Sequence, residues 1–404
     1  MLALNSREAL EAEMRSIGAG REGIRIMLDK GIFRVVRLYE VPIRAALIIK
    51  QEMLSKGGEA ALPLRAADLA VESCDILMIG TERQFREVIA TLKRQPFGLP
   101  AIASEIESVL EKLDSPLPSV TVGGRTFTFG QRTYIMGVLN VTPDSFSDGG
   151  RYQDPAVAVR HALSMLENGA DIIDVGGESS RPGAESVSSE EEFARVAPAV
   201  EALTSETHAV VSVDTYKAEV ARRCLDLGAH MINDITALAG EGDMASVISR
   251  YGVPVVLMHM KGRPRDMQIN PHYDSVVHEI HEFLDQRIKY AQEQGIPPCN
   301  IIIDPGIGFG KTPEHNLEIL ARLAEFRSLG RPILVGTSRK STIGKVLGLP
   351  VSERLFGTAA TVACAIASGA DIVRVHDVRE MARVARMTDA IVRGWQEKGD
   401  DNAV

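Results

Sequence analysis

The run YIMGVL at Tyr134–Leu139 passes directly into NVTPDSFSDGG at Asn140–Gly150. A short apolar stretch ends at an amide side chain, and the chain then breaks into a polar loop holding Pro143, Asp144, Asp148 and two glycines. A brief, near-continuous apolar run is the signature of a strand buried on both faces. In parallel α/β proteins the chemistry sits at the carboxyl ends of such strands.

The same pattern recurs downstream. Further strands are expected at Asp171–Val175, Ala209–Val213, His230–Asn233, Pro254–Met258, Asn300–Asp304, Pro332–Val335 and Asp371–Val375. Helical stretches separate them, among them Ala156–Asn168, Glu190–Leu203, Lys217–Leu227 and His272–Glu293. Gly169, Gly228, Gly252, Gly295 and Gly369 punctuate the helix ends. Eight strands with intervening helices predict a (β/α)₈ TIM barrel over 120–396. A doubly wound open sheet is the alternative, and the regularity of eight units favours closure.

Upstream, residues 1–113 read as a small α/β domain without a catalytic constellation. Ser6 can cap a helix over Arg7–Ile17, and Ile32–Leu38 is strand-like. Ile43–Lys56 is helical, and Asp75–Ile79 is a second strand. Thr81 with Gln84 forms a capping box for a helix over Glu82–Arg94, and another helix runs to Leu113. DSPLPS at 114–119 is a linker. Val120–Val122 and Thr126–Phe129 flank Gly123-Gly124 as a hairpin. Residues 397–404 form a tail.

Composition narrows the function. The chain has 404 residues, 45% hydrophobic and 25% charged, as in ordinary globular enzymes. Its net charge of −9 argues against a broad nucleic-acid surface. No apolar run reaches membrane-spanning length, and no signal pattern opens the chain, so a cytoplasmic protein is expected. Cys74, Cys224, Cys299 and Cys364 are scattered and are expected to be small buried residues, not metal ligands.

Polar residues gather at the strand ends. In order they are Asn140; GGESSRPGA at Gly176–Ala184; Asp214; Asn233 and Asp234; Met258-His259-Met260; Asp304 in DPGIGFGK; Lys340 and Ser341 in GTSRKS; and Arg374 and His376 in RVHD. One Asp or Asn at a strand end is usually a cap. GIGFGKT is not a phosphate loop, because the Walker spacing would need a glycine at Pro305. Arg374 and His376 are two apart, so both face the same way. Capping alone does not place Arg, Lys, His and two Asp at one barrel mouth. Asp214, Asn233 and Asp304 suit a flat heterocycle rich in N–H groups, and Lys340 can donate to a ring oxygen or nitrogen. Asn140, Arg374 and His376 suit a phosphate-type anion, with Arg374 able to grip in bidentate fashion. Asn140 can also bind a hard cation such as Mg²⁺.

Together NVTPDSFSDGG, GGESSRPGA, SVDTYK, INDI, DPGIGFGK, SRKS and RVHDV, in this order, resemble the dihydropteroate synthase family over about Val120–Trp395. The resemblance implies transfer of a dihydropterin-methyl group from its diphosphate ester to p-aminobenzoate, a transferase step of folate biosynthesis. It implies that Asn140 holds Mg²⁺ with the diphosphate, and that Asp214, Asn233, Asp304 and Lys340 recognise the pterin between Met258 and Phe309. Arg374 and His376 would hold the diphosphate, and Ser341 would meet the aminobenzoate carboxylate. Ser180 and Arg181 would lie on one mobile loop and Asp144–Phe146 on another. Asp214, Lys340 and Arg181 would be the catalytic residues of a homodimer. The chain departs from the family pattern at Ser180, where Thr is usual, at Asp266, where Thr is common, and in having residues 1–113. Two alternatives remain. A methyltetrahydrofolate–corrinoid methyltransferase would need neither SRKS nor the anion-binding set. A non-enzymatic pterin-binding paralogue would not need an intact site.

Overall fold

The computed structural model describes residues 7–66, 68–69, 71–142, 155–179, 183, 185–240 and 242–395. The chain divides into two compact units, Met1–Asp114 and Ser115–Val404.

The first unit is a three-stranded antiparallel sheet of β1 (Phe33–Pro42), β2 (Glu59–Ala61) and β3 (Ser73–Thr81), in the order β1-β3-β2. Helices Ile43–Ser55, Glu82–Leu92 and Leu99–Asp114 bury Ile49, Met53, Phe85, Leu92 and Ile106 with Ile76 and Met78 of β3, giving this unit its own core. The Thr81–Gln84 capping box forms as its sequence predicts. Helix Arg21–Gly31 is an addition to the elements expected from sequence. Its N-cap is Gly20, which offers no side-chain cap. Strand β2 is three residues long and too short to show a period.

The second unit opens with a hairpin, β4 (Val120–Val122) and β5 (Arg125–Phe127). Eight parallel strands follow: β6 (Tyr134–Asn140), β7 (Ile172–Gly176), β8 (Val210–Asp214), β9 (Met231–Asp234), β10 (Val255–Met258), β11 (Ile301–Asp304), β12 (Leu334–Val335) and β13 (Ile372–Val375). Their order is β11-β10-β9-β8-β7-β6-β13-β12, and a parallel bridge from Ile303 to Ile333 joins the two ends. The sheet therefore closes, and the open doubly wound alternative is excluded. The helix expected from His272 begins at Val276, because the Glu279 carboxylate accepts from the backbone N–H of Asp274 and Ser275 and caps the chain there.

Period-two alternation builds the barrel in layers. Ile173, Val211, Val255, Ile303 and Val373 face outward into the core under the helices. Met136, Ile172, Val210, Met231, Val256, Ile302, Leu334 and Ile372, one from each strand, fill the interior with Leu117, Phe127 and Phe129. The strands begin in this apolar plug, so an open site can form only at their far ends.

The cysteine expectation needs correction. Cys74 and Cys224 are buried, but Cys299 is half-buried and Cys364 is exposed on its helix. Apolar character alone therefore does not place all four inside the protein.

Candidate active site

Two residues beyond the apolar plug, the inward positions turn polar: Asp174, Ser212, Asn233, Asp304 and Arg374, with Met258 and Val138 between them. One further step of two brings Asn140, Asp214 and His376 to the rim.

Arg374 organises the floor. Its Nε donates to Asp174 Oδ2 at 2.6 Å and its Nη2 to Asp214 Oδ2 at 2.7 Å. Asn233 Nδ2 donates to the same Asp174 oxygen at 3.1 Å. Asp174 is fully buried, and its Oδ1 has no partner among the described residues. Asp174 is absent from the residues expected from sequence, because it sits inside the apolar run IIDVG. Two of the donors of Arg374 are already committed to carboxylates. Of its five N–H donors, both on Nη1 and the second on Nη2 remain to face an anion.

Electrostatics follow from burial around two cations, Arg374 and Lys340. Burial pushes the Asp214 carboxyl up to about 7, against the pull of Arg374 and with the push of Asp174, Glu192 and Asp234. Burial also raises Asp304, opposed by Lys340 and by the Gly306 N–H, which donates to Asp304 Oδ1 at 2.7 Å. Lys340 is lowered to about 8 by burial, with Asp304 and Asp214 opposing and Arg374 assisting.

Lys340 lies over the Phe309 ring at 4.5 Å and donates to the Ile307 carbonyl. It is the N-cap residue of helix Ser341–Leu347, whose first residue, Ser341, is exposed. Within SRKS, Arg339 has a structural part to play. Its Nε donates to Asp377 at 2.9 Å and its Nη2 to the other oxygen of the same carboxylate, joining the loops after β12 and β13. His376 Nδ1 lies 3.0 Å from Ser338 Oγ, which also accepts from the His376 backbone N–H. Met258 is buried beside the loop after β11, 3.2 Å from where a Gly306 side chain would begin.

Asn140 and Asp214 flank Gly176. A β-carbon there would lie 3.5 Å from Asn140 Oδ1 and 3.8 Å from Asp214 Oδ2. The missing side chain leaves a gap between two oxygen donors, a donor set that fits a hard cation. The described residues contain no cluster of three His, Cys, Asp or Glu able to cage a metal alone. Any Mg²⁺ held here would depend on oxygens from a bound anion and water, as Mg²⁺ commonly does.

Ser180, Arg181 and Asp144–Phe146 lie outside the described residues, as does the tail at 397–404. The two ends of the Ser180–Arg181 segment are described. Lys217 Nζ bonds Glu178, the Val187 carbonyl at 2.7 Å and Glu192 at 2.5 Å, clasping residues 178 and 187 together. Tyr216 adds a hydroxyl bond to Glu178 at 3.0 Å. SVDTYK thus carries an anchor as well as Asp214. Asp266 accepts from the Arg263 backbone N–H at 3.0 Å, so this departure from the family pattern closes a turn.

A family model described as "Pterin binding enzyme" matches residues 136–376. Dihydropteroate synthase of Clostridium beijerinckii is 52% identical over 273 residues, covering 67% of this chain and 99% of that protein. A probable bifunctional folylpolyglutamate synthase/dihydropteroate synthase of Halobacterium salinarum is 42% identical over 392 residues, covering 96% of this chain and 46% of that one. That match extends through the first unit. Among solved structures, dihydropteroate synthase of Xanthomonas albilineans in complex with 7,8-dihydropteroate has a TM-score of 0.61 and 41% identity, covering 68% of this chain and 98% of that one.

Proposed function

The chain belongs to the pterin-binding enzyme family, and from that premise we propose that it condenses (7,8-dihydropterin-6-yl)methyl diphosphate with p-aminobenzoate, giving 7,8-dihydropteroate and diphosphate. This is the dihydropteroate synthase reaction, a transferase step of folate biosynthesis. The observation that carries it is the polar inward layer at the carboxyl ends of the strands, lying within the matched residues 136–376. The relatives are dihydropteroate synthases, and nothing favours the corrinoid methyltransferase alternative.

The roles follow from the donor and acceptor inventory. Asp214, Asn233 and Asp304 accept from the N–H groups of the pterin ring, and Lys340 donates to its oxygen or nitrogen, with Met258 and Phe309 as apolar walls. Asp174 acts through Arg374 and Asn233, fixing both. His376 and the outward edge of Arg374 meet the diphosphate. Mg²⁺, held by Asn140 and diphosphate oxygens, would neutralise charge on the leaving group. Ser341 and the Ser180–Arg181 segment serve the aminobenzoate.

The bond from the pterin methylene carbon to the diphosphate oxygen breaks, and the oxygen leaves with the electron pair. The resulting cation is spread over the electron-rich ring, next to the Asp214 carboxylate. The aminobenzoate nitrogen then forms the new carbon–nitrogen bond and loses a proton to solvent. Placed charges stabilise these species, and no protein nucleophile is needed.

The reading also assigns the protein to the cytoplasm as a homodimer. No described helix is long and apolar enough to cross a membrane. Phe356, Met387 and Ile391, 83%, 63% and 70% exposed on the last two helices, are the apolar surface that a second copy would cover. Purified protein supplied with both substrates, with and without Mg²⁺ chelation, tests the proposal. It predicts an aminobenzoate-dependent product that chelation suppresses. No such product at saturating substrate would refute it.

A further inference from the structure

The loop after β11 is held by an unusual set of bonds. Five consecutive backbone carbonyls each accept from a side chain of another position. Gly306 O accepts from Lys311 Nζ at 2.9 Å, and Ile307 O from Lys340 Nζ. Gly308 O accepts from Gln268 Nε2 at 2.6 Å, Phe309 O from Lys311 Nζ at 3.0 Å, and Gly310 O from Tyr273 Oη at 2.9 Å. A loop that needed only to connect β11 to the next helix would leave such carbonyls to water.

Lys311 contributes most to this frame. It is 2% exposed and makes no ion pair among the described residues. Its amine also meets His259 Nδ1 at 2.9 Å and the His259 carbonyl at 3.3 Å, so it ties the end of β10 to the loop after β11. The His259 imidazole is held neutral, pushed down to about 2 by burial and by Lys311 itself, so Nδ1 can accept. Burial pushes Lys311 well below the usual lysine range. Burying an amine is costly when the carboxylate that acts on it, Asp304, makes no direct ion pair with it. An apolar residue of similar length would fill the space without that cost, so the cost must be offset by what the amine holds in place.

What it holds is one wall of the ring pocket. The loop begins at Asp304, presents the Phe309 ring beneath Lys340, and offers Ile307 O to the Lys340 amine. Gly306 shows how tightly the two strand ends meet: with φ +70°, a β-carbon there would lie 1.9 Å from His259 O. We propose that Lys311 is a positioning residue for the pterin ring, setting Phe309 and Lys340 through the loop carbonyls without touching the ligand. This rests on the functional reading above and deepens it.

The test replaces Lys311 by Met, which keeps length and removes the donors. Calorimetric titration with 6-hydroxymethylpterin, which carries no phosphate, reads the ring pocket alone. Steady-state kinetics at saturating pterin diphosphate read the aminobenzoate KM. Loss of several hydrogen bonds predicts pterin binding weakened roughly ten-fold or more, with the aminobenzoate KM nearly unchanged. Unchanged pterin affinity in folded Lys311→Met would overturn the proposal. So would equal losses for both substrates, which indicate general loosening. If Lys311→Met does not fold, His259→Phe decides. It keeps an aromatic ring against Phe283 and removes both ring nitrogens, including the Nδ1 that meets Lys311. A smaller loss confined to the pterin supports the proposal, and no loss overturns it. Failure of the wild-type protein to bind the pterin would instead overturn the functional reading itself.

Discussion

Replacing Arg374 by Met would strip the cation from two carboxylates at once. Asp174 is fully buried and Asp214 is 15% exposed at the side chain, at 2.6 and 2.7 Å from the guanidinium. Removing one partner of a buried ion pair costs about 3–5 kcal/mol, because the other charge is left uncompensated. The Arg374 side chain is 22% exposed, and water at the rim can partly replace it, so the lower end, about 3 kcal/mol, is expected near pH 8. The cost should depend on pH in a definite direction. Asp214 stands at about 7 in the fold against an ordinary 3.8. A carboxyl raised on folding binds an extra proton in the native state. Its contribution is fully present below 3.8 and is lost as pH rises through about 7. Without Arg374 the upper edge of that window moves higher. At pH 5 Asp214 is protonated in the fold and its share of the penalty shrinks; at pH 8, above about 7, that share is larger. Denaturant unfolding at both pH values, followed by circular dichroism, measures it. A penalty under about 1 kcal/mol at pH 8, or one equal at both pH values, would refute the assignment of Arg374 as the counter-ion of the site floor.

Asp304→Ala should weaken binding of a phosphate-free pterin by about 1–3 kcal/mol, whereas His376→Ala should spare that ligand and weaken the diphosphate ester; equal losses for both ligands in both variants would mean the roles are misassigned. Pterin affinity should peak between about 7 and about 8, falling below as Asp214 gains a proton and above as Lys340 loses one, and a profile flat across pH 6 to 9 in calorimetric titration would contradict this. A Ser115–Val404 fragment should retain turnover, because every candidate site residue lies within it and Leu117 is kept to seal the barrel floor; a folded fragment that binds pterin without turnover would show that the first unit contributes to catalysis.

Short-range order along the chain determined the eight strands, because period-two burial and helix-ending glycines are local. It also determined that Asn140, Asp214, Asn233, Asp304 and His376 stand at strand ends, and the ordered motifs pointed to the family. Asp174 was legible by the same rule, since it stands two residues before Gly176 on β7 just as Arg374 stands two before His376, but an acid within an apolar run reads as an interruption. Helix Arg21–Gly31 lacked a capping side chain to announce it. Closure through Ile303 and Ile333, and the pairing of Arg374 with carboxylates 200 and 160 residues away, belong to tertiary structure alone. So does the burial of Lys311. Whether a cation is spent on a neighbouring carboxylate or left for a ligand depends on distances between strands that no local pattern encodes, and on the burial that makes each unmade bond costly.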